Sequence, residues 1–166
     1  LNAQLTEMTE VSISYGKAAL EAGADIIFLA DGTSQSIGPP YFEGFSFPFT
    51  KELISSLEAP TILHICGNPT SILPLMAATG ASALSVDKPV DIENALELVG
   101  DKVALVGNIA PLTLLNGGTE EIIRETQDAV DKGVHVVAPG CGILPSTPLE
   151  HVRAYVDHVK GGHGGS

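Results

Sequence analysis

Five short apolar runs of strand length recur along this chain of 166 residues, and segments with a helical pattern separate them. Nearly continuous apolar runs are typical of parallel strands that are covered on both faces. The predicted strands occupy residues 25–30, 61–66, 81–86, 102–106 and 134–138. The pattern predicts an α/β fold with five βα units in a single domain over residues 1–160, followed by a disordered glycine-rich tail over residues 161–166.

Polar residues collect at the carboxyl ends of the predicted strands. They are Asp31, His64, Cys66, Asp87, Asn108 and Cys141. Barrels of the (β/α)8 type place their chemistry at this end of the strands. Because five units are fewer than eight, we expect the later part of a partial TIM-like (β/α)8 barrel, without its first three strands. An open, doubly wound sheet of five strands is the alternative, since periodicity does not distinguish the two. No Gly-x-Gly-x-x-Gly motif follows any strand, so nothing supports a dinucleotide site.

The charge of the chain excludes several classes of partner. The formal net charge is −12, and only 8 residues are Lys or Arg. Nucleic acids and anionic membranes need a patch of such residues, so we expect no nucleic-acid partner. No apolar run approaches the roughly 20 residues that span a bilayer, and the N-terminus lacks a signal-peptide pattern, so we expect no membrane association. Two cysteines do not form a disulfide framework, and thiols that bind metal must stay reduced, so we expect a cytoplasmic protein.

His64 and Cys66 form the most informative short motif. Residues i and i+2 of a strand face the same way, so the imidazole and the thiol share a face. If Cys141 approaches the same point from another strand, one nitrogen and two sulfurs form a site suited to zinc, with a fourth coordination position open. Two alternatives stay open here: the cysteines are small buried apolar residues, or they form a disulfide with each other.

Three further polar residues are candidates at the same end of the sheet. Asp87 follows the strand after that of His64, so it is a candidate fourth metal ligand; the alternative is a helix-capping or turn residue. Asp31 is a candidate for orienting the substrate, with a loop hydrogen bond as its alternative. Asn108 is a candidate donor to a bound polar group such as a sulfonate. His135 lies within a strand, where a structural histidine is the expectation.

Five elements together resemble the uroporphyrinogen decarboxylase superfamily, and most closely its methylcobamide:coenzyme M methyltransferase branch. They are residues 21–25, the Asp31 loop, residues 40–45 with Pro48-Phe49, the His-Ile-Cys-Gly run at 64–67 and the Ala-Pro-Gly-Cys-Gly run at 138–142. The resemblance covers residues from about 5 to about 160, and its specific part is the His-x-Cys … Cys pattern. Members of the family are about twice as long, so the chain resembles only their C-terminal portion.

The resemblance implies a fold and a reaction. The fold is a (β/α)8 barrel in which His64, Cys66 and Cys141 hold Zn²⁺. The zinc binds the thiol of coenzyme M, and that thiol takes a methyl group from a methylated corrinoid protein. The corrinoid is therefore a cofactor that the partner protein carries.

Two alternative interpretations are compatible with the same residues. The first is a uroporphyrinogen decarboxylase-like enzyme of porphyrin metabolism that uses no metal. The decarboxylases of the superfamily lack this triad and bind propionates through N-terminal arginines, whereas Arg124 and Arg153 lie in predicted helices. The second is an inactive fragment that folds by self-association. Since an isolated sheet of five units has two open edges, we expect self-association of the chain.

Overall fold

The structure is a computed structural model that describes residues 1–162. Five strands alternate with helices along the chain. The strands are β1 (Ile27–Asp31), β2 (Thr61–Ile65), β3 (Ala83–Ser85), β4 (Ala104–Ile109) and β5 (Val136–Pro139). The helices are α1 (Asn2–Glu21), α2 (Gly38–Tyr41), α3 (Phe47–Ser55), α4 (Leu73–Ala78), α5 (Ile92–Val99), α6 (Pro111–Asn116), α7 (Thr119–Asp131) and α8 (Leu149–Gly162). A π-helical turn at Phe42–Ser46 joins α2 to α3.

The strands form one parallel sheet in the order β1-β2-β3-β4-β5, so each strand pairs with the next one along the chain. Crossovers between parallel strands are right-handed, and crossovers that all step in one direction place their helices on one face. A doubly wound sheet reverses direction and places helices on both faces. The strand order therefore confirms the partial barrel and excludes the doubly wound alternative. The face opposite the helices is also buried at the centre of the sheet, where His64, Ser85 and Val106 are at most 5% exposed, in agreement with the expectation of two covered faces.

The core lies between the sheet and this helical layer. Leu29, Leu63, Leu84 and Leu105 occupy one level of four neighbouring strands and face the helices. Buried side chains of the helices pack against them, among them Ile54, Leu73, Met76 and Ile92. Each fully buried side chain of this size stabilises the fold by about 1.5–3 kcal/mol. The sheet is therefore a rigid platform for the residues at its carboxyl edge.

All five predicted strands are present, with boundaries that differ by a few residues. The largest difference is in β4, which continues to Ile109 and so includes Asn108. Helix α6 was not predicted, because six residues starting with a proline carry little periodicity. Helix α8 continues to Gly162, so the first two residues of the predicted tail 161–166 belong to a helix. Residues 163–166 lie outside the described residues.

The outer edges of β1 and β5 have no strand partner among residues 1–162. Beside β1, exposed Val11 and Tyr15 of α1 line a cleft of about 590 Å³ together with Ile26 and Phe28. On the opposite edge, Val136 is 52% exposed. Within the described residues, none of the helices combines the length and the apolarity that crossing a bilayer demands.

Candidate metal centre

The candidate centre lies at the carboxyl end of β2. His64 is 4% exposed and pairs with Ala30 of β1 and Ser85 of β3. Cys66 follows directly after β2, and its amide donates to the carbonyl of Asp31 over 3.3 Å, which extends the β1–β2 pairing by one residue. Cys66 therefore keeps the alternation of the strand, and its thiol lies on the same face as the imidazole.

The structure brings the three predicted ligands together. The Nε2 atom of His64 lies 3.4 Å from the Sγ atom of Cys66, and that sulfur lies 3.6 Å from the Sγ atom of Cys141. All three atoms lie within 4.8 Å of one another. Both cysteines are free, and their separation is far longer than the roughly 2.05 Å of a disulfide bond. The disulfide alternative therefore does not hold in this structure.

The spacing of these atoms suits a tetrahedral ion. Zinc binds sulfur at about 2.3 Å and nitrogen at about 2.0–2.1 Å, which places two sulfurs about 3.8 Å apart and a sulfur and a nitrogen about 3.6 Å apart. The distances of 3.6 Å and 3.4 Å are close to these values. One imidazole and two thiols are also a donor set that zinc prefers. The residues therefore fit the ion that the sequence predicts.

Ser85 sets the orientation of the imidazole. The Nδ1 atom of His64 lies 3.1 Å from the carbonyl oxygen of Ser85 and 3.1 Å from its hydroxyl oxygen. Because a carbonyl only accepts, the proton belongs on Nδ1, which leaves the lone pair of Nε2 directed at the thiols. Sequence reasoning missed Ser85. Its signal was a polar residue in an apolar strand, two positions before Asp87 and so on the same face.

The loop after β5 carries Cys141 to the site, and Gly140 makes this path possible. The amide of Gly140 donates to the carbonyl of Ile109 over 2.8 Å. A Cβ atom at Gly140 would lie 2.9 Å from the amide nitrogen of Lys88 and 3.0 Å from the Cα atom of Asp87. Only a residue without a side chain lets the loop pass this close to the β3 loop.

Asp87 lies beside the centre with its carboxylate bound to backbone amides. Its Oδ2 atom accepts from the amide of Gly67 over 3.1 Å, and its Oδ1 atom accepts from the amide of Lys88 over 2.7 Å. These contacts agree with the alternative of a turn residue. Asp87 is not part of the three-residue group, and its role as a fourth ligand stays a prediction.

Asp31 and Asn108 also bind backbone groups. The Oδ1 atom of Asp31 accepts from the amides of Thr33 and Ser34 over 3.0 Å and 2.9 Å. Asn108 is buried, and its Nδ2 atom donates to the carbonyl of Val90 over 2.9 Å. A longer contact of 3.4 Å joins the same atom to the carbonyl of Asp87. Their predicted substrate contacts stay predictions.

His135 lies away from this group, just before β5. Its Nδ1 atom accepts a hydrogen bond from the amide of Leu105 over 3.1 Å. This contact links β4 to the segment that leads into β5. It agrees with the expected structural role of His135.

Burial raises the pKa of the Cys66 thiol above its ordinary value. The hydrogen bond and charge of Cys141 raise this pKa further, and so do the negative charges of Asp87 and Asp31. All of these causes disfavour the thiolate in the metal-free protein. A bound cation would act in the opposite direction, because its charge stabilises the thiolate. The same carboxylates that repel a thiolate would attract the cation.

Comparisons with known proteins agree with the geometry. The chain is 41% identical over 152 residues to the methylcobamide:CoM methyltransferase MtaA of Methanosarcina barkeri, which covers 89% of the chain and 45% of that protein. It is 31% identical over 159 residues to a uroporphyrinogen decarboxylase of Flavobacterium johnsoniae, covering 94% of the chain and 47% of that protein. The chain thus spans about half the length of these curated relatives.

A solved structure and a family model point the same way. The solved structure of a methyltransferase from Methanosarcina mazei superimposes with a TM-score of 0.87 at 40% identity, covering 94% of the chain and 48% of that structure. The family model described as uroporphyrinogen decarboxylase (URO-D) matches residues 1–162. These matches confirm the resemblance that the His-x-Cys … Cys pattern indicated. The chain belongs to the uroporphyrinogen decarboxylase family.

Proposed function

We propose that this chain holds the zinc site of an enzyme that transfers a methyl group from a methylated corrinoid protein to a small thiol such as coenzyme M. The convergence of His64 Nε2 with the sulfurs of Cys66 and Cys141 is the observation that carries the proposal. The activity for which the Methanosarcina barkeri relative is named, that of a methylcobamide:CoM methyltransferase, supports the choice of donor and acceptor.

Methylation of a thiol at neutral pH requires the thiolate, because a free thiol with a pKa of about 8.5 is mostly protonated there. Zinc, when bound, lowers the pKa of a coordinated thiol and so supplies a thiolate that is still nucleophilic. His64, Cys66 and Cys141 would hold the ion and leave one position for the acceptor thiol. Ser85 keeps Nε2 of His64 directed at the ion that the two thiols would share.

The methyl transfer itself requires no acid–base residue. The acceptor sulfur would give an electron pair to the methyl carbon, and the methyl donor, the corrinoid of the partner protein, would keep both electrons of the bond that it loses. The thiol proton leaves to solvent before the transfer. The residues of this chain bind and orient the acceptor at the carboxyl edge of the sheet, where the corrinoid of the partner protein would approach.

The decarboxylase alternative is less well supported. It requires no metal and so gives no reason for a histidine and two thiols within 4.8 Å of one another. The identity to the Flavobacterium johnsoniae decarboxylase is 31%, against 41% to the methyltransferase. The roles of Asp87 as a fourth ligand, and of Asp31 and Asn108 in binding substrate, belong to this proposal as secondary features.

Metal analysis tests the proposal directly. We expect near-stoichiometric zinc in the wild-type protein and loss of zinc in His64→Gln, Cys66→Ser and Cys141→Ser. His135→Gln is the matched control, since His135 binds the Leu105 amide outside the site and should leave the zinc content unchanged. Equal zinc content in all of these proteins would remove the site.

The reaction can be tested with methylcobalamin as methyl donor and coenzyme M as acceptor. We expect methylated coenzyme M to form only with protein that contains zinc. Decarboxylation of uroporphyrinogen by zinc-free protein would instead support the alternative. Because metal-binding thiols must stay reduced, the proposed setting is the cytoplasm.

Self-association is also part of the proposal, because two sheet edges and the apolar cleft of α1 lie exposed. Light scattering should show more than one copy per particle. Tyr15→Ser, in the cleft, should shift the distribution toward the monomer. Leu98→Ser, at an exposed apolar residue of α5, is the control and should not. A monodisperse wild-type monomer would contradict self-association.

A further inference from the structure

Glu125 lies on α7, outside the candidate centre, yet it binds the two segments, after β3 and after β4, that contact the thiol-bearing loops. Its Oε1 atom accepts a hydrogen bond from the amide of Ala110 over 2.6 Å. The same atom lies 3.0 Å from the Nζ atom of Lys88. The side chain of Glu125 is 13% exposed and that of Lys88 is 41% exposed, so water screens the ion pair in part.

One branch of contacts leads from Glu125 to Cys66. Lys88 follows Asp87 in the loop after β3. The Asp87 carboxylate accepts from the amide of Gly67, the residue directly after Cys66. The ion pair of Lys88 with Glu125 therefore anchors the loop that holds the Cys66 turn in place.

A second branch leads from Glu125 to Cys141. Ala110 follows Ile109, whose carbonyl accepts from the amide of Gly140 over 2.8 Å. Gly140 directly precedes Cys141 and packs against the β3 loop. The hydrogen bond from Ala110 to Glu125 thus anchors the end of β4, on which the Cys141 loop is fixed. Both branches start from a single carboxylate oxygen.

We propose that Glu125 is a positioning residue that sets the separation of the two thiols. The Glu125 carboxylate is nearly buried and accepts hydrogen bonds from one amide and one ammonium group. It therefore favours a single arrangement of both segments, because movement of either one would leave a hydrogen-bonding group without its partner. Loss of Glu125 frees the β3 loop and the end of β4 together. Cys66 and Cys141 then bind a shared ion less tightly, although neither ligand is altered. The inference rests on the proposed metal site.

Zinc affinity in three variants tests this role, by competition with a chromophoric chelator on the full chain. Glu125→Ala removes both contacts and should weaken zinc binding several-fold, which is less than the roughly 10–100-fold lost with a direct partner of a metal ligand. Glu125→Gln keeps an oxygen for the Ala110 amide and should fall between Ala and wild type. Glu121→Ala changes an exposed carboxylate one turn earlier on α7 and should bind zinc as the wild type does.

Cobalt spectra and thermal unfolding separate positioning from plain stability. The visible absorption of bound Co²⁺ reports the geometry of the thiolates, so it should shift in Glu125→Ala and stay unchanged in Glu121→Ala. Unchanged affinity and spectrum in both Glu125 variants, with only a lower melting temperature of the metal-free protein, would overturn the inference. Failure of the wild-type protein itself to bind zinc or Co²⁺ would instead overturn the proposed function. If Glu125→Ala does not fold, Glu125→Gln still decides, because normal affinity with a normal spectrum contradicts positioning.

Discussion

The sulfur atoms of Cys66 and Cys141 lie 3.6 Å apart, although 75 positions separate the two residues in the chain. Their strands, β2 and β5, are not neighbours, because β3 and β4 lie between them. Adjacent strands are about 4.8 Å apart, so three such steps amount to about 14 Å along the sheet. The loop after β5 must therefore cross the ends of β4 and β3 to deliver Cys141. Its contacts with Ile109 and Lys88 mark that path.

Gly140→Ala should weaken zinc binding and lower the stability of the protein. The new Cβ atom would lie 2.9 Å from the backbone nitrogen of Lys88, so the loop has to move away from the β3 end. Overpacking of this kind typically costs about 1–3 kcal/mol. Gly142→Ala is the matched control, because no atom beyond its two chain neighbours lies within 4 Å of its Cβ position. Zinc titration and thermal unfolding check both variants, and equal behaviour of the two would contradict the crossing path.

Ser85→Ala should reduce zinc affinity by several-fold without abolishing binding. The hydroxyl contact to Nδ1 of His64 disappears, while the carbonyl contact at the same residue persists. Orienting partners of a ligating histidine typically contribute 10–100-fold in affinity, and here one of two is lost. Ser82→Ala, at an exposed residue just before β3, is the control. Competition titration with a chelator gives the affinities, and a value for Ser85→Ala equal to the control would show that the hydroxyl is dispensable.

In the metal-free protein, alkylating reagents should modify Cys66 slowly. The same protein should lose stability at alkaline pH. The pKa of this thiol is raised by burial first, then by Cys141 and by two carboxylates. A raised pKa means that the folded state retains the proton, so the associated stability is present below the pKa of the unfolded thiol. It is lost as pH rises through the folded pKa. The pH profile of iodoacetamide labelling, followed by mass spectrometry, should therefore have its midpoint above that of a free thiol, about 8.5.

Cys141→Ser offers a check on the causes of this shift. The substitution removes the sulfur hydrogen bond and charge but leaves the burial of Cys66. In this variant, the midpoint of the pH profile of Cys66 labelling should fall below that of the wild type and stay above that of a free thiol. Added zinc should protect Cys66 of the wild type from iodoacetamide throughout the pH range in which the metal-free thiols are deprotonated. A midpoint at or below that of a free thiol in the wild type would contradict the assigned causes.

Peroxide should convert the metal-free centre into a disulfide. One molecule of hydrogen peroxide takes two electrons and two protons from the thiols of Cys66 and Cys141, which yields one S–S bond and two waters. The sulfurs are 3.6 Å apart, and a loop movement of roughly 1.5 Å brings them to bonding distance. Mass spectrometry should show a cross-linked peptide pair that is two hydrogens lighter. Zinc-loaded protein should resist, whereas sulfinic acid without any cross-link in metal-free protein would contradict this prediction.

Local patterns were enough to predict the five strands, the barrel-type placement of polar residues and the three metal-ligand candidates. Strand alternation is a property of neighbouring residues, so the shared face of His64 and Cys66 follows from their spacing alone. The nearly unbroken apolar runs likewise follow from burial of the strands. These features need no knowledge of which strand lies beside which.

Tertiary structure alone decided how the candidates meet and what holds them there. The approach of Cys141 depends on a loop that crosses two strand ends, and the contacts of Glu125 depend on a helix packed behind them. Ser85 became significant only once β3 was known to lie beside β2. Such relationships arise from packing between segments far apart in the chain, and no local periodicity encodes them.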